Sequence, residues 1–119
     1  MASNVGFPTI LVAETDDSLR SSLIRRLRQH GYLVLEAQDA AEALEVVKIH
    51  SRPIDLMLTE EGPEGRTLAT TLQQYRPKMS VVFVAVGMGE SGPSLRTLDA
   101  ALTRVQDLLK PPKASKVES

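Results

Sequence analysis

A fourfold alternation constrains this chain more than any other feature. Thr9 to Ala13 (TILVA), Tyr32 to Glu36 (YLVLE), Ile54 to Thr59 (IDLMLT) and Ser80 to Val86 (SVVFVAV) are short apolar runs rich in β-branched residues, and they read as strands. Each is followed by a stretch with apolar residues at helical spacing. Leu19, Leu23, Ile24 and Leu27 form one stripe over Asp16 to Gln29, and Gly31 stands just past its end as a stop signal. Asp39-Ala40-Ala41-Glu42 has the layout of a capping box, opening a helix that carries Ala40, Ala43, Leu44 and Val47 on one face. Glu60 to Glu64 reads as a loop. Leu68, Leu72 and Tyr75 give the third helix its stripe before Pro77 breaks it. Gly87 to Pro93 reads as a second loop, and Ser94 caps a last helix with Leu95, Leu98, Leu102, Val105 and Leu109 inward.

Strands alternating with amphipathic helices predict an α/β, doubly wound parallel sheet covered on both faces. One such domain is expected over residues 9–110, with an N-terminal extension at 1–8 and a polar, disordered tail at 111–119. With aromatic residues at 3%, the core must be built from Leu, Val, Ile and Ala. A net charge of −1 gives no electrostatic case for nucleic acid or anionic lipid. The absence of Cys excludes disulfides, thiolate metal sites and Cys nucleophiles. The apolar runs are too short to span a bilayer, and Met1 to Pro8 lacks a signal-peptide layout, so a cytoplasmic protein is expected.

In open parallel sheets, sites form beyond the carboxyl ends of the strands. Glu14, Thr15, Asp16 and Asp17 follow the first strand, Glu60 and Glu61 the third, and Val86 and Gly87 the fourth. If the first and third strands are neighbours, Glu14, Asp16 and Glu60 come together. Such a carboxylate cluster can hold Mg²⁺ through oxygen ligands, or offer one carboxylate as a phosphoryl acceptor.

Ile10 to Arg20 (ILVAETDDSLR), His30-Gly31-Tyr32, Glu36-Ala37 to Ala43-Leu44, Pro53 to Glu60 (PIDLMLTE) and Leu102 to Leu109 (LTRVQDLL) resemble the receiver domain of bacterial response regulators, from about Pro8 to Lys110. The resemblance implies a flavodoxin-like fold and a place in two-component (phosphorelay) signalling. Receivers accept a phosphoryl group from a histidine kinase on an Asp at the end of the third strand. An acidic pair after the first strand holds Mg²⁺. A Ser or Thr ends the fourth strand, and a Lys ends the fifth. Here Glu60 takes the phosphoacceptor position, and Glu14 and Thr15 take the acidic pair, with Asp16 beside them. Ala85 takes the hydroxyl position and Ser94 the Lys position.

Each replacement weakens the chemistry. The added methylene of Glu moves its oxygens away from in-line attack, and a ~1 Å displacement can cost roughly a hundredfold. Thr15 removes a charged ligand, Ala85 a hydroxyl, and Ser94 the neutralising cation. Only eight residues separate Ala85 from Ser94, whereas a parallel crossover needs about a dozen. The usual fourth helix and fifth strand cannot both fit. The expected sheet therefore has four strands in the order 2-1-3-4, with an apolar edge at the fourth strand that invites dimerisation.

The leading reading is a pseudo-receiver: not an enzyme, without a cofactor, acting by protein–protein interaction. The expected partner is a histidine kinase, a diguanylate enzyme, a transcription factor or another receiver. In this reading Glu60 is either a permanently charged stand-in for a phosphorylated Asp or a plain solvated Glu. The alternatives are a residual Mg²⁺-dependent phosphoacceptor using Glu60 with Glu14 and Asp16, and a homodimer formed through strand four. His30 and His50 stand alone at helix ends and are expected to serve their helix dipoles. Gly87-Met88-Gly89 lacks phosphate-loop spacing, and Lys110 to Lys116 reads as a linker.

Overall fold

Four parallel strands form one sheet in which, numbered along the chain, they lie in the order 2-1-3-4, the order expected from the sequence. A computed structural model describes residues 7–85 and 95–109. Its elements are β1 (Thr9–Ala13), α1 (Asp17–Gln29), β2 (Leu33–Ala37), α2 (Ala40–Ile49), β3 (Leu56–Glu60), α3 (Pro63–Tyr75), β4 (Ser80–Val84) and α4 (Leu95–Leu108). Ser94, Val86, the Gly87 to Pro93 loop and the tail at 111–119 lie outside the described residues.

The alternation of side chains along β1 divides the core. Ile10 and Val12 face α1 and α4, with Leu23, Leu27, Leu58, Val82 and Val105 around them. Leu11 and Ala13 face α2 and α3, with Ala43, Val47, Met57 and Leu72. All five β1 residues are buried, as a central parallel strand requires. An ion pair between Arg26 and Asp99 joins α1 to α4 at the surface.

Local signals account for most of the boundaries. Asp16 caps α1 by accepting from the Leu19 N–H at 2.8 Å. Gly31, at φ 89°, ends that helix. The Gly31 N–H donates to the Arg28 carbonyl and the Tyr32 N–H to the Leu27 carbonyl, which is a Schellman ending. Asp39 caps α2 through the Glu42 N–H at 2.8 Å, while Glu42 accepts from the Gln38 N–H at 2.6 Å.

Three expectations are corrected. Glu60 belongs to β3 and is not a loop residue, because its strand pairing with Val84 continues the ladder. Helix α3 starts at Pro63, where a missing N–H costs nothing, after Gly62 turns the chain at φ 142°. Its buried face is Gly65, Ala69 and Leu72. Tyr75 is half exposed instead, beneath the Lys48 ammonium, because the small residues bring the helix against the sheet nearer its start. The strand boundaries shift too: β2 begins at Leu33, β3 at Leu56, and β4 ends at Val84.

Candidate functional site

Adjacent β1 and β3 pair Ala13 with Thr59, so the residues that follow each strand emerge side by side. They open a cavity of about 310 Å³ bounded by Glu14 and Thr15 after β1, Asp39 and Ala40 at the start of α2, and residues 59–65 with Leu68. Its walls carry the carboxylates of Glu14, Asp39, Glu60, Glu61 and Glu64 and no basic side chain.

Glu14 is the unusual member. It is only 3% exposed, whereas Glu60 is exposed at the strand end. One oxygen of Glu14 accepts from the Asp16 N–H at 3.0 Å, while Oε1 is buried without a hydrogen-bond partner. Burial, reinforced by the negative charge of Glu60, pushes the Glu14 carboxyl up from 4.5 to about 7. Near neutral pH this group spends much of its time protonated and able to donate toward Glu60.

Behind the cavity stands Arg20, 8% exposed. Its guanidinium donates to the Glu14 carbonyl at 2.9 Å, to Asp17 at 2.6 Å and to Glu36 at 3.1 Å. It thereby fixes the β1–α1 turn and ties it to β2. Gly65 sets the opposite wall. A Cβ at Gly65 would lie 2.2 Å from the Glu60 carbonyl oxygen, so only glycine lets α3 approach so closely.

No family model matches the chain. Over 83 residues it is 30% identical to the sensor kinase CckA of Brucella abortus, covering 67% of this chain and 9% of the kinase. Over 78 residues it is 30% identical to the response regulator receiver protein CpdR of the same organism, covering 63% of each. The chain thus spans less than two thirds of the length of both curated relatives. Among solved structures, the receiver domain of the hybrid histidine kinase CckA superposes with a TM-score of 0.63 at 26% identity, covering 86% of this chain and 99% of that domain. The regulator TrrA of Thermotoga maritima, solved with Mg²⁺ and a beryllofluoride, gives 0.67 at 21% identity over 87% of this chain and 100% of its own. The chain is a response regulator receiver domain.

Within this receiver, Glu14, Thr15 and Glu60 line the same cavity. Asp16 does not line that cavity, and its Oδ1 caps α1. Ala85 is exposed and directly follows β4, whose Val84 carbonyl accepts from the Glu61 N–H at 2.9 Å. Glu14 lies within electrostatic reach of both Glu60 and Asp16. Among the described residues, no group of three or more Asp, Glu, His or Cys side chains is arranged to hold a metal ion.

Sequence reasoning missed Arg20 and Gly65. Arg20 sits on the buried face of α1 beside Leu19, Leu23 and Leu27, and a charge in that stripe was the available signal. Gly65, the third residue of α3, directly follows the stretch read as a loop, where a glycine is ordinary, so its role emerges only with the helix start at Pro63.

Proposed function

We propose that this domain is a pseudo-receiver, a cytoplasmic two-component signalling module that works by protein–protein interaction without depending on phosphoryl transfer. The observation that carries the reading is the set of residues at the strand ends. Glu60 ends β3, Ala85 follows β4, and Glu14 stands buried beside the neutral Thr15. A phosphoryl group placed there would meet carboxylates and no described cation in the cavity wall. The partner is a signalling protein such as a histidine kinase, a regulator or another receiver. Kinship with a sensor kinase and a receiver protein supports that choice. The purified domain, incubated with Mg²⁺ and a small acyl-phosphate donor, should keep its intact mass. A stoichiometric phosphoryl adduct on Glu60 overturns the reading in favour of a residual Mg²⁺-dependent phosphoacceptor.

A second reading concerns β4. In its pairing with β3, Val82 and Val84 turn inward, and the half-buried Val81 and Phe83 present their backbone groups to the sheet edge. Unpaired edges invite a second copy. Sedimentation at micromolar concentration tests this: a dimer supports it, and a clean monomer removes it.

A further inference from the structure

A second cavity, of about 570 Å³, lies away from the carboxyl ends of the strands, along the outer edge of β2. Its residues come from both sides of the sheet. Arg28 reaches it from the end of α1, on one face, while His50 and Arg52 follow α2 on the other. No acidic residue lines it. Among the described residues, neither guanidinium is in an ion pair or a side-chain hydrogen bond. The His50 backbone is fixed, its N–H donating to Val46 and its carbonyl accepting from Arg76. Its imidazole Nε2 is nevertheless buried without a partner.

The strand between these cations is open. The Leu33 N–H donates to the Pro8 carbonyl and the Ala37 carbonyl accepts from the Glu14 N–H, so alternate residues of β2 face β1. Val34 and Glu36 therefore direct their N–H and C=O groups outward, and the described residues supply them with no partner. Leu33 is 51% exposed beside them. An open strand edge is satisfied by another extended backbone, and side-chain pockets along it select the sequence. The pockets here are cationic, so the complementary side chain is a carboxylate.

We propose that the β2 edge, between Arg28 and Arg52, is a docking groove for an extended, carboxylate-bearing segment of a partner protein. The segment would pair with the backbone of Val34, cover Leu33 and place its acid between the two guanidinium groups near His50. The proposal does not depend on whether Glu60 can be phosphorylated.

The test uses the full chain, followed by NMR. A blocked hexapeptide alternating valine with glutamate should give saturable shifts at the amides of residues 33–36 and at the His50 ring. The Arg28→Glu/Arg52→Glu double variant should bind it at least tenfold more weakly at an unchanged melting temperature, since both side chains are exposed. Four outcomes overturn the proposal. One is equal binding of the valine–lysine peptide. A second is equal affinity for sodium acetate, which would make this a simple anion site. A third is shifts centred elsewhere. The fourth is peptide-free broadening at residues 33–36 that grows with chain concentration, which would make a second copy the occupant.

Discussion

The two cavities carry opposite charge, and they carry it differently. At the carboxyl ends of β1 and β3, five carboxylates share one hollow, and one of them, Glu14, is buried with an oxygen unsatisfied. Along β2, Arg28 and Arg52 extend into solvent with no acid between them. A net charge of −1 for the whole chain conceals this separation. The acidic end places like charges together, one of them desolvated, and so opposes folding. The basic edge leaves its charges hydrated, at little cost to folding. Substitutions at the acidic end should move stability, whereas substitutions at the basic edge should leave stability alone and move binding.

The largest effect is expected at Gly65. A methyl group there meets the backbone carbonyl of Glu60, which cannot rotate aside as a side-chain tip could. Gly65→Ala should cost roughly 3 kcal/mol, the upper range for an overpacked interior site. A shift of the urea midpoint shows it. A loss below about 1 kcal/mol would mean that α3 can slide away from the sheet, and that the acidic cavity is not rigidly shaped.

Glu14 gives the next effect, and its sign is opposite to that of an ordinary surface carboxylate. Its carboxyl lies at about 7 in the folded chain against 4.5 for the free group, so the folded state holds the proton more tightly. The stability this contributes is fully present below pH 4.5 and is lost as the pH rises to about 7. The size is on the order of 3 kcal/mol for a shift of that extent. Glu14→Gln keeps an acceptor for the Asp16 N–H and cannot ionise. At pH 8 it should be more stable than the parent by about 2 to 3 kcal/mol, and at pH 4 indistinguishable from it. Parallel stability-against-pH curves for the two chains would show that Glu14 is not the strained group.

Arg20 joins the two regions, because it anchors the β1–α1 turn to Glu36 on β2. Arg20→Met keeps the buried stem but strands the Glu14 carbonyl, and it should cost about 2 kcal/mol. The paired carboxylates are 83% and 52% exposed, so their ion pairs add little. Arg20→Lys should recover only part of the loss, since one ammonium cannot reach three acceptors in a fixed fork.

The same contrast marks what could be read in advance. The acidic end was legible, because its residues directly follow strands and parallel sheets gather sites there. The strand order followed from the resemblance to receivers and from the short span after Ala85. The cap at Asp39 and the stop at Gly31 were local chemistry, and they stood where expected. The protonation of Glu14 was not legible, since it needs the depth of the residue and the nearness of Glu60. Nor was the basic groove: Arg28, His50 and Arg52 lie at the ends of two helices on opposite faces of the sheet, and only the β2 edge brings them together. His50 had been read as a helix-end residue. It is one, and it also lines that cavity.

Asp39 makes the finest distinction between the regions, because it plays two opposed parts at the acidic end. Its carboxylate caps α2 and also adds one more negative charge to the cavity wall. Asp39→Ala removes both and should cost about 1 kcal/mol, the usual value of a lost cap less some relief of repulsion. Asp39→Ser keeps an oxygen for the Glu42 N–H and removes only the charge. If crowded carboxylates really oppose folding here, the serine variant should match or exceed the parent by up to about 0.5 kcal/mol at pH 8 and low salt, and the gain should fade as salt screens the cavity. If the serine variant instead loses as much as the alanine variant, the Asp39 charge serves the α2 dipole more than it burdens the cavity.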